Sequence, residues 1–382
     1  MIMKTGSKRL LSKITAILLA VTSVFWFVSC AEQGSSEELG IYIPVLADAA
    51  WLTSDGAFLN GMEIAGEELR NRYKSRGFTL KTEIIDDKAQ YEKGVEAASS
   101  VAEDNNVTAI FNLQNFDVSK TTAGILSESG KPVIFPYGAY DSIFAQGNKS
   151  VFCTVSSFSD LGKVMAKYAV KKGYKRIVVY HNGTQSQEEL STTFELALFD
   201  TGAKVVDYVP QISSENDFNS IYARWQALDA DCVVIAQYGL ERAFEVLKMI
   251  RSRDKKIAVL GEPIFNRANA LAENKEIAEG MAIPSTLIIE NSEELNTFKL
   301  KYMDKYGKEA DIWAVQGYDM LSMVVDTAVR LGTNDPQKIA LELHDSKGYQ
   351  GIGRHIAFND GGAMQTDIDR LPILICRDGS FR

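Results

Sequence analysis

From residue 39 onward the chain alternates short apolar runs with amphipathic stretches, the pattern of strands and helices taking turns. LGIYIPVL (39–46) reads as an apolar strand. In GAFLNGMEIAGEELRNRYKSRG (56–77), Leu59, Met62, Gly66, Leu69 and Tyr73 share one helical stripe, and basic residues followed by Gly77 mark the end. A strand over 79–85, a helix over 89–104, a strand over 107–112, a helix over 117–129 and a strand over 131–136 continue the alternation. Pro136 stops that last strand, because proline has no N–H for the ladder and a fixed φ. The stop delivers Tyr137-Gly138-Ala139-Tyr140-Asp141 at the strand's mouth.

The same succession then recurs. Strands over 175–181, 203–209, 231–237 and 256–261 are separated by helices over 187–200, 217–228 and 239–252. Strand starts near 79, 107 and 131 are spaced by 28 and 24 residues; those near 203, 231 and 256 are spaced by 28 and 25. This predicts two similar parallel α/β lobes made of right-handed βαβ units. After residue 280 come helices near 291–306, 311–331 and 335–343, then strand-like 354–360 and 370–378. The expected partition is 39–153 plus 285–345 for the first lobe and 154–284 plus 346–382 for the second. Three crossings, near 153–157, 282–286 and 345–350, would form the hinge.

The first 29 residues differ in kind: Lys4, Lys8, Arg9 and Lys13 precede an apolar run from Ile14 to Val28, with no acidic residue. That is the layout of a secretory signal, and its apolar run of 15 residues is shorter than the ~20 a spanning helix needs. Phe27-Val28-Ser29-Cys30 resembles a bacterial lipobox, with Phe27 where leucine is usual. The resemblance implies lipidation of Cys30, a tether over 30–38 and a membrane-anchored domain outside the cytoplasm. Without residues 1–29 the chain has 37 basic groups against 50 acidic ones, a net charge of −13 (41 less 4, then less 50). So acidic a domain has no electrostatic case for nucleic acid. Cys153, Cys232 and Cys376 sit in separate strand-like stretches without metal-ligand spacing and read as buried free thiols, one disulfide among them remaining open.

Enzyme signatures are missing. The chain has no G-x-S-x-G elbow, no phosphate-binding G-x-x-x-x-G-K-[ST] loop and no H-E-x-x-H helix. GIGRHI (351–356) lacks the third glycine of a dinucleotide fingerprint, and His181, His344 and His355 are scattered. No cofactor is called for, and a non-catalytic binding function is expected.

Seven blocks in order resemble the branched-chain amino-acid-binding family of type I periplasmic solute-binding proteins, the receptors of ABC importers. They are GIYIPVL, LNGMEIAGEELRNR, IDDKAQYEKGVEAASSVAEDNNVTAIFN, ESGKPVIFPYGA, VFCTVSSFSDLGKVMAKYAV, YMDKYGKEADIWAVQGYDML and GIGRHIAFNDGGAMQ. The resemblance implies two Rossmann-like doubly wound lobes on a three-stranded hinge, closing on a small molecule and presenting it to a membrane permease. A ligand-sensing lipoprotein that signals to a membrane partner is the alternative.

Open parallel sheets bind ligands beyond the carboxyl ends of their strands, which here places Trp51, Asn115, Phe116, Tyr137 and Glu262 in reach of a cleft. Residue by residue the resemblance implies a family hydroxyl at Phe116, beside Asn115, and a family threonine where Gly138-Ala139 stands. It implies the family tyrosine at Gln185 or Ser186, a retained one at Tyr238, and an acidic position within one residue of Glu262. Two hydroxyls expected to grip an α-carboxylate are thus replaced by apolar groups, and each lost donor to a buried charge costs about 1.5–3 kcal/mol. Trp51, Phe116, Tyr137 and Tyr238, with Phe265 as a further member, instead favour an aromatic or heterocyclic ligand over leucine. The competing reading is that these rings pad hinge and core.

Overall fold

The computed structural model describes residues 39–137, 141–144, 149–210, 212, 214–237, 239–345 and 347–382. The signal segment, the tether, Cys30, Gly138, Ala139 and Tyr238 lie outside the described residues.

The first lobe runs β1 (Leu39–Ala47), α1 (Ala49–Asp55), α2 (Ala57–Arg72), β2 (Phe78–Asp86), α3 (Tyr91–Glu103), β3 (Ile110–Asn112), α4 (Phe116–Glu128), β4 (Val133–Phe135), the one-turn α5 (Asp141–Phe144) and β5 (Val151–Cys153). The second runs α6 (Phe158–Lys172), β6 (Arg176–His181), α7 (Gln185–Ala197), β7 (Lys204–Val209), α8 (Glu215–Ala227), β8 (Cys232–Ala236), α9 (Leu240–Arg253), β9 (Ala258–Gly261), α10 (Ala268–Ala278) and β10 (Ala282–Pro284). Then follow α11 (Glu293–Tyr306), α12 (Ile312–Leu331), α13 (Pro336–Asp345), the hairpin β11–β12 (Tyr349–Gln350, His355–Ile356), β13 (Ile373–Arg377) and β14 (Ser380–Phe381).

The first sheet has the order β2-β1-β3-β4-β5, all parallel. The second repeats it as β7-β6-β8-β9-β10, with β13 and β14 added antiparallel beyond β10. Both lobes are therefore doubly wound, as the resemblance implies, and alike in plan, as the recurring strand spacing predicts. Period-two alternation explains how each sheet covers two faces. In β1, Ile41, Ile43 and Val45 join the core beneath α2 and α12, while Leu46 joins the core beneath α3 and α4. In β6, Val178 and Tyr180 face one side of the second sheet, Ile177 and Val179 the other. Cys153, Cys232 and Cys376 are buried and in no disulfide among the described residues.

The C-terminal partition differs from the expected one. Residues 346–382 do not pass as a unit to the second lobe: Ile352, Ile356 and Phe358 are buried in the first-lobe core. The Phe358 ring lies 4.9 Å from that of Phe152, and the Gly362 carbonyl accepts from the Cys153 N–H (2.9 Å), so this segment packs against β5 at the first sheet's edge. Only β13 and β14 reach the second sheet. The third crossing accordingly falls near 366–372 rather than 345–350. There Thr366 Oγ1 meets Ser156 Oγ (3.2 Å), and the Pro372 carbonyl accepts from Ser285 N–H (2.8 Å). The first two crossings are joined by Ser156, whose N–H and Oγ both donate to the Thr286 carbonyl (3.0 and 3.1 Å). The expected strand over 354–360 is reduced to His355–Ile356 and a single bridge between Phe358 and Met364.

Candidate functional site: an aromatic cleft between the lobes

Strand ends and helix starts bring the cleft together. Asp48 caps α1 by accepting from Ala50 N–H (3.0 Å), and Asp86 accepts from Ala49 N–H (3.0 Å). This fixes Trp51 at the mouth, 40% exposed. Phe116 is the first residue of α4. Tyr137 follows Pro136, and its hydroxyl donates to the Gln114 carbonyl (2.6 Å), which pins the ring across the ends of β3 and β4. Trp313 is the second residue of α12, where Asp311 accepts from the N–H groups of Trp313 and Ala314 (2.9 Å each). Phe158 opens α6 behind its cap Ser157.

These rings form a connected set. Tyr137 stands edge-to-face with Trp51 (centroids 6.1 Å apart) and Phe116 (5.6 Å), and tilted to Trp313 (5.9 Å). Phe116 meets Phe158 across the lobe boundary at 5.5 Å. Together with Leu161 and Leu240, they bound a cavity of about 340 Å³. It lies beside an outer mouth of about 600 Å³ whose wall shares Trp51, Leu240 and Arg267.

Two charged side chains reach the inner wall among the described residues. Glu262, after β9, is 4% exposed and accepts from Gln187 Nε2 (3.1 Å). Burial pushes its carboxyl up to about 7, and the Gln187 hydrogen bond only partly offsets this. Arg267, just before α10, places its guanidinium carbon over two first-lobe indoles, 4.8 Å from the Trp313 centroid and 5.6 Å from that of Trp51.

Two lobes joined by several chain crossings thus share a cavity between them. A family model described as "Periplasmic binding protein" matches residues 39–369. The chain belongs to the periplasmic binding protein family. Among its relatives, the leucine-, isoleucine-, valine-, threonine- and alanine-binding protein of Pseudomonas aeruginosa is 22% identical over 374 residues, 95% of each chain. The Leu/Ile/Val-binding protein homolog 1 of Brucella abortus is 21% identical over 328 residues, 85% of this chain and 86% of that one. The solved ABC-transporter substrate-binding protein of Desulfitobacterium hafniense, in complex with Leu, superposes with a TM-score of 0.80 at 23% identity, over 90% of this chain and 99% of that chain. A solute-binding protein of R. palustris in complex with benzoate gives 0.74 at 16% identity, over 90% and 95% of the two chains. The structural likenesses establish the fold, and the expected resemblance to the branched-chain amino-acid-binding proteins is borne out.

In this periplasmic binding protein the cleft wall includes Trp51, Asn115, Phe116, Tyr137 and Glu262 from the sequence-derived set. Phe265 is not on it. It ends a 3-10 turn (Pro263–Phe265) that rotates its ring inward onto Phe244 (5.0 Å), leaving Pro263 and Ile264 to face the cavity. Gln185 is also off the wall; its Nε2 donates to Glu189 one turn along α7 (3.0 Å), and Gln187, two residues on, reaches Glu262 instead. Trp313 and Phe158 were missed. Both are aromatics at the start of a capped helix, Asp311 preceding one and Ser157 the other, and that placement was the available signal.

Among the described residues no group of three or more His, Cys, Asp or Glu side chains could hold a metal, and no helix is long and apolar enough to cross a membrane.

Proposed function

We propose that this protein captures a small molecule with an aromatic or heterocyclic body by closing its lobes, and delivers it to an ABC-transporter permease. In this reading it works outside the cytoplasm, tethered through lipid on Cys30, and catalyses nothing. The observation that carries the ligand class is the ring set contributed by both lobes, Trp51, Phe116, Tyr137 and Trp313 from one and Phe158 from the other, around one cavity. Flat ligands gain from edge-to-face and stacked contacts there beyond the area they bury, by about 0.5–1.5 kcal/mol per ring pair. The two hydroxyl replacements argue in the same direction, since a plain aliphatic amino acid would forfeit donors to its carboxylate. The relatives' names support the small-molecule and transporter context.

The test is a thermal-shift and calorimetric screen of the purified protein. Aromatic and heterocyclic metabolites should stabilise it, by about 2.7 kcal/mol at 100 times their Kd. Leucine, isoleucine and valine should not. Micromolar or tighter binding of those three, with no aromatic compound bound, would overturn the reading.

A further inference from the structure

The polar side chains of the inner wall are largely spent on the protein itself. Ser156 Oγ donates to the Thr286 carbonyl (3.1 Å) and meets Thr366 Oγ1 (3.2 Å). The Tyr137 hydroxyl donates to the Gln114 carbonyl, and Glu262 takes the Gln187 amide. Arg267 is engaged over the indoles of Trp51 and Trp313. Thr286 differs: it lines the same cavity, partly buried, and its hydroxyl makes no hydrogen bond to any described residue. It is none of the positions to which the family resemblance gives a ligand role.

The backbone holds this residue in place without using its side chain. Thr286 follows β10 at the second crossing, and its carbonyl receives both donors of Ser156, the N–H at 3.0 Å and Oγ at 3.1 Å. The preceding Ser285 N–H donates to the Pro372 carbonyl of the third crossing (2.8 Å). A β-branched side chain on so fixed a backbone has few χ1 choices, so its hydroxyl is positioned before a ligand arrives. In an open cleft water satisfies such a hydroxyl. A ligand that fills the cavity expels the water and must return a hydrogen bond, because leaving a buried hydroxyl unpaired costs more than pairing it gains. An all-carbon ring offers no such bond in its own plane. Charge on the ligand is disfavoured as well. The outer mouth sets Glu241, Glu245, Glu273 and Asp311 against Lys248 and Arg267, so an anion enters against an acidic excess. The inner wall pairs one acid with one base, Glu262 with Arg267, and has no net charge for a cation to neutralise among the described residues.

Resting on the aromatic reading of the cleft, we infer that the ligand is an uncharged heterocycle with a hydrogen-bonding atom on its ring edge, and that the Thr286 hydroxyl reads that atom. Thr286 is then a specificity-determining residue: it separates a ring nitrogen or ring carbonyl from the C–H group of a carbocycle of the same shape.

The experiment is calorimetry of the purified protein with two matched pairs of probes, benzimidazole with indole and nicotinamide with benzamide, each pair differing by one ring nitrogen in place of a C–H. In at least one pair wild type should bind the nitrogen-bearing member about 3- to 10-fold more tightly. Thr286→Val keeps the shape and the carbonyl that Ser156 uses, so its ligand-free melting temperature should stay close to wild type while the preference within the pair disappears. Thr286→Ser should retain the preference. A merely structural role for Thr286 would weaken both members of a pair alike and leave their ratio unchanged. Equal binding within both pairs by wild type, or an unaltered ratio in Thr286→Val, would overturn the inference and leave the aromatic cleft standing. Silence from all four probes would also overturn it; leucine, isoleucine or valine bound in their place would overturn the aromatic reading with it. The comparison within pairs on wild type and Thr286→Ser decides even if the Val variant does not fold.

Discussion

Glu262 is a buried acid whose proton is worth measuring. An ordinary glutamate titrates near 4.5, whereas burial holds this one up to about 7. Below about 4.5 it is protonated in both folded and unfolded chains, so burial costs nothing. Between about 4.5 and about 7 the unfolded chain ionises first and binds fewer protons than the folded one, so stability falls as pH rises. Above about 7 the loss is complete, on the order of 3 kcal/mol at 1.36 kcal/mol per pH unit. Glu262→Gln removes this contribution while an amide oxygen can still accept from Gln187. Urea unfolding of wild type and variant at pH 4 and pH 8 checks it: the variant should gain on wild type by up to ~3 kcal/mol between the two. An unchanged gap would show that the carboxylate is solvated. At this scale the sequence was informative where strand ends dictated placement, as for Trp51, Tyr137 and Glu262. It failed where a local turn chose the direction: periodicity cannot say that Pro263–Phe265 winds as a 3-10 turn and buries Phe265.

Among the elements, α2 and α12 make the closest approach, and glycine permits it. A Cβ on Gly61 would overlap the Ala314 carbonyl, and one on Gly317 would overlap the Phe58 carbonyl. The obstacles are backbone atoms of the opposite helix, which cannot turn aside as a side chain can. Gly317→Ala should therefore lower stability by about 1–3 kcal/mol through overpacking, despite alanine's higher helix propensity. Gly124 is the counter-case: it is exposed on α4 and its Cβ would meet nothing within 4 Å. Gly124→Ala should raise stability by about 0.5–1 kcal/mol. Denaturant midpoints of the two variants should move in opposite directions; a shared sign would mean that propensity or packing alone decides. The helices themselves were legible, with α11 and α12 matching their expected spans within two residues. The α2 stripe was drawn too narrow, because Phe58, Gly61 and Ala65 are buried as well, between sheet and neighbouring helix. Helix α10 escaped notice: of its eleven residues only Leu271 and Ala278 are buried, so no apolar stripe announces it.

For the molecule as a whole, the two lobes were readable from recurring strand spacing, but the ownership of the last segment was not. Hydrophobic pattern marks a strand without saying which sheet takes it. What holds residues 349–364 to the first lobe is partly ionic. Arg354 Nε pairs with Asp319 of α12 (3.0 Å), both side chains being almost wholly buried, and its Nη1 donates to the Thr154 carbonyl at the first crossing (2.6 Å). Asp319 also accepts from the Ile352 N–H (2.9 Å), and a Cβ on Gly351 would crowd its carboxylate. Gly351 of GIGRHI thus lets the chain wrap a buried carboxylate, a role unrelated to nucleotide phosphates. The arrangement ties the returning chain, α12 and the hinge strand to one ion pair. Removing one partner leaves the other charge buried and unmatched, which costs about 3–5 kcal/mol, whereas replacing both by apolar groups of similar size is often near neutral. Arg354→Met and Asp319→Leu should each lose that amount in urea unfolding. The double variant should lose much less than the sum, the remaining deficit reflecting the Thr154 carbonyl and Ile352 N–H left without partners. Additive losses would show that the two side chains act independently and that the hinge strand is held by its backbone bonds alone.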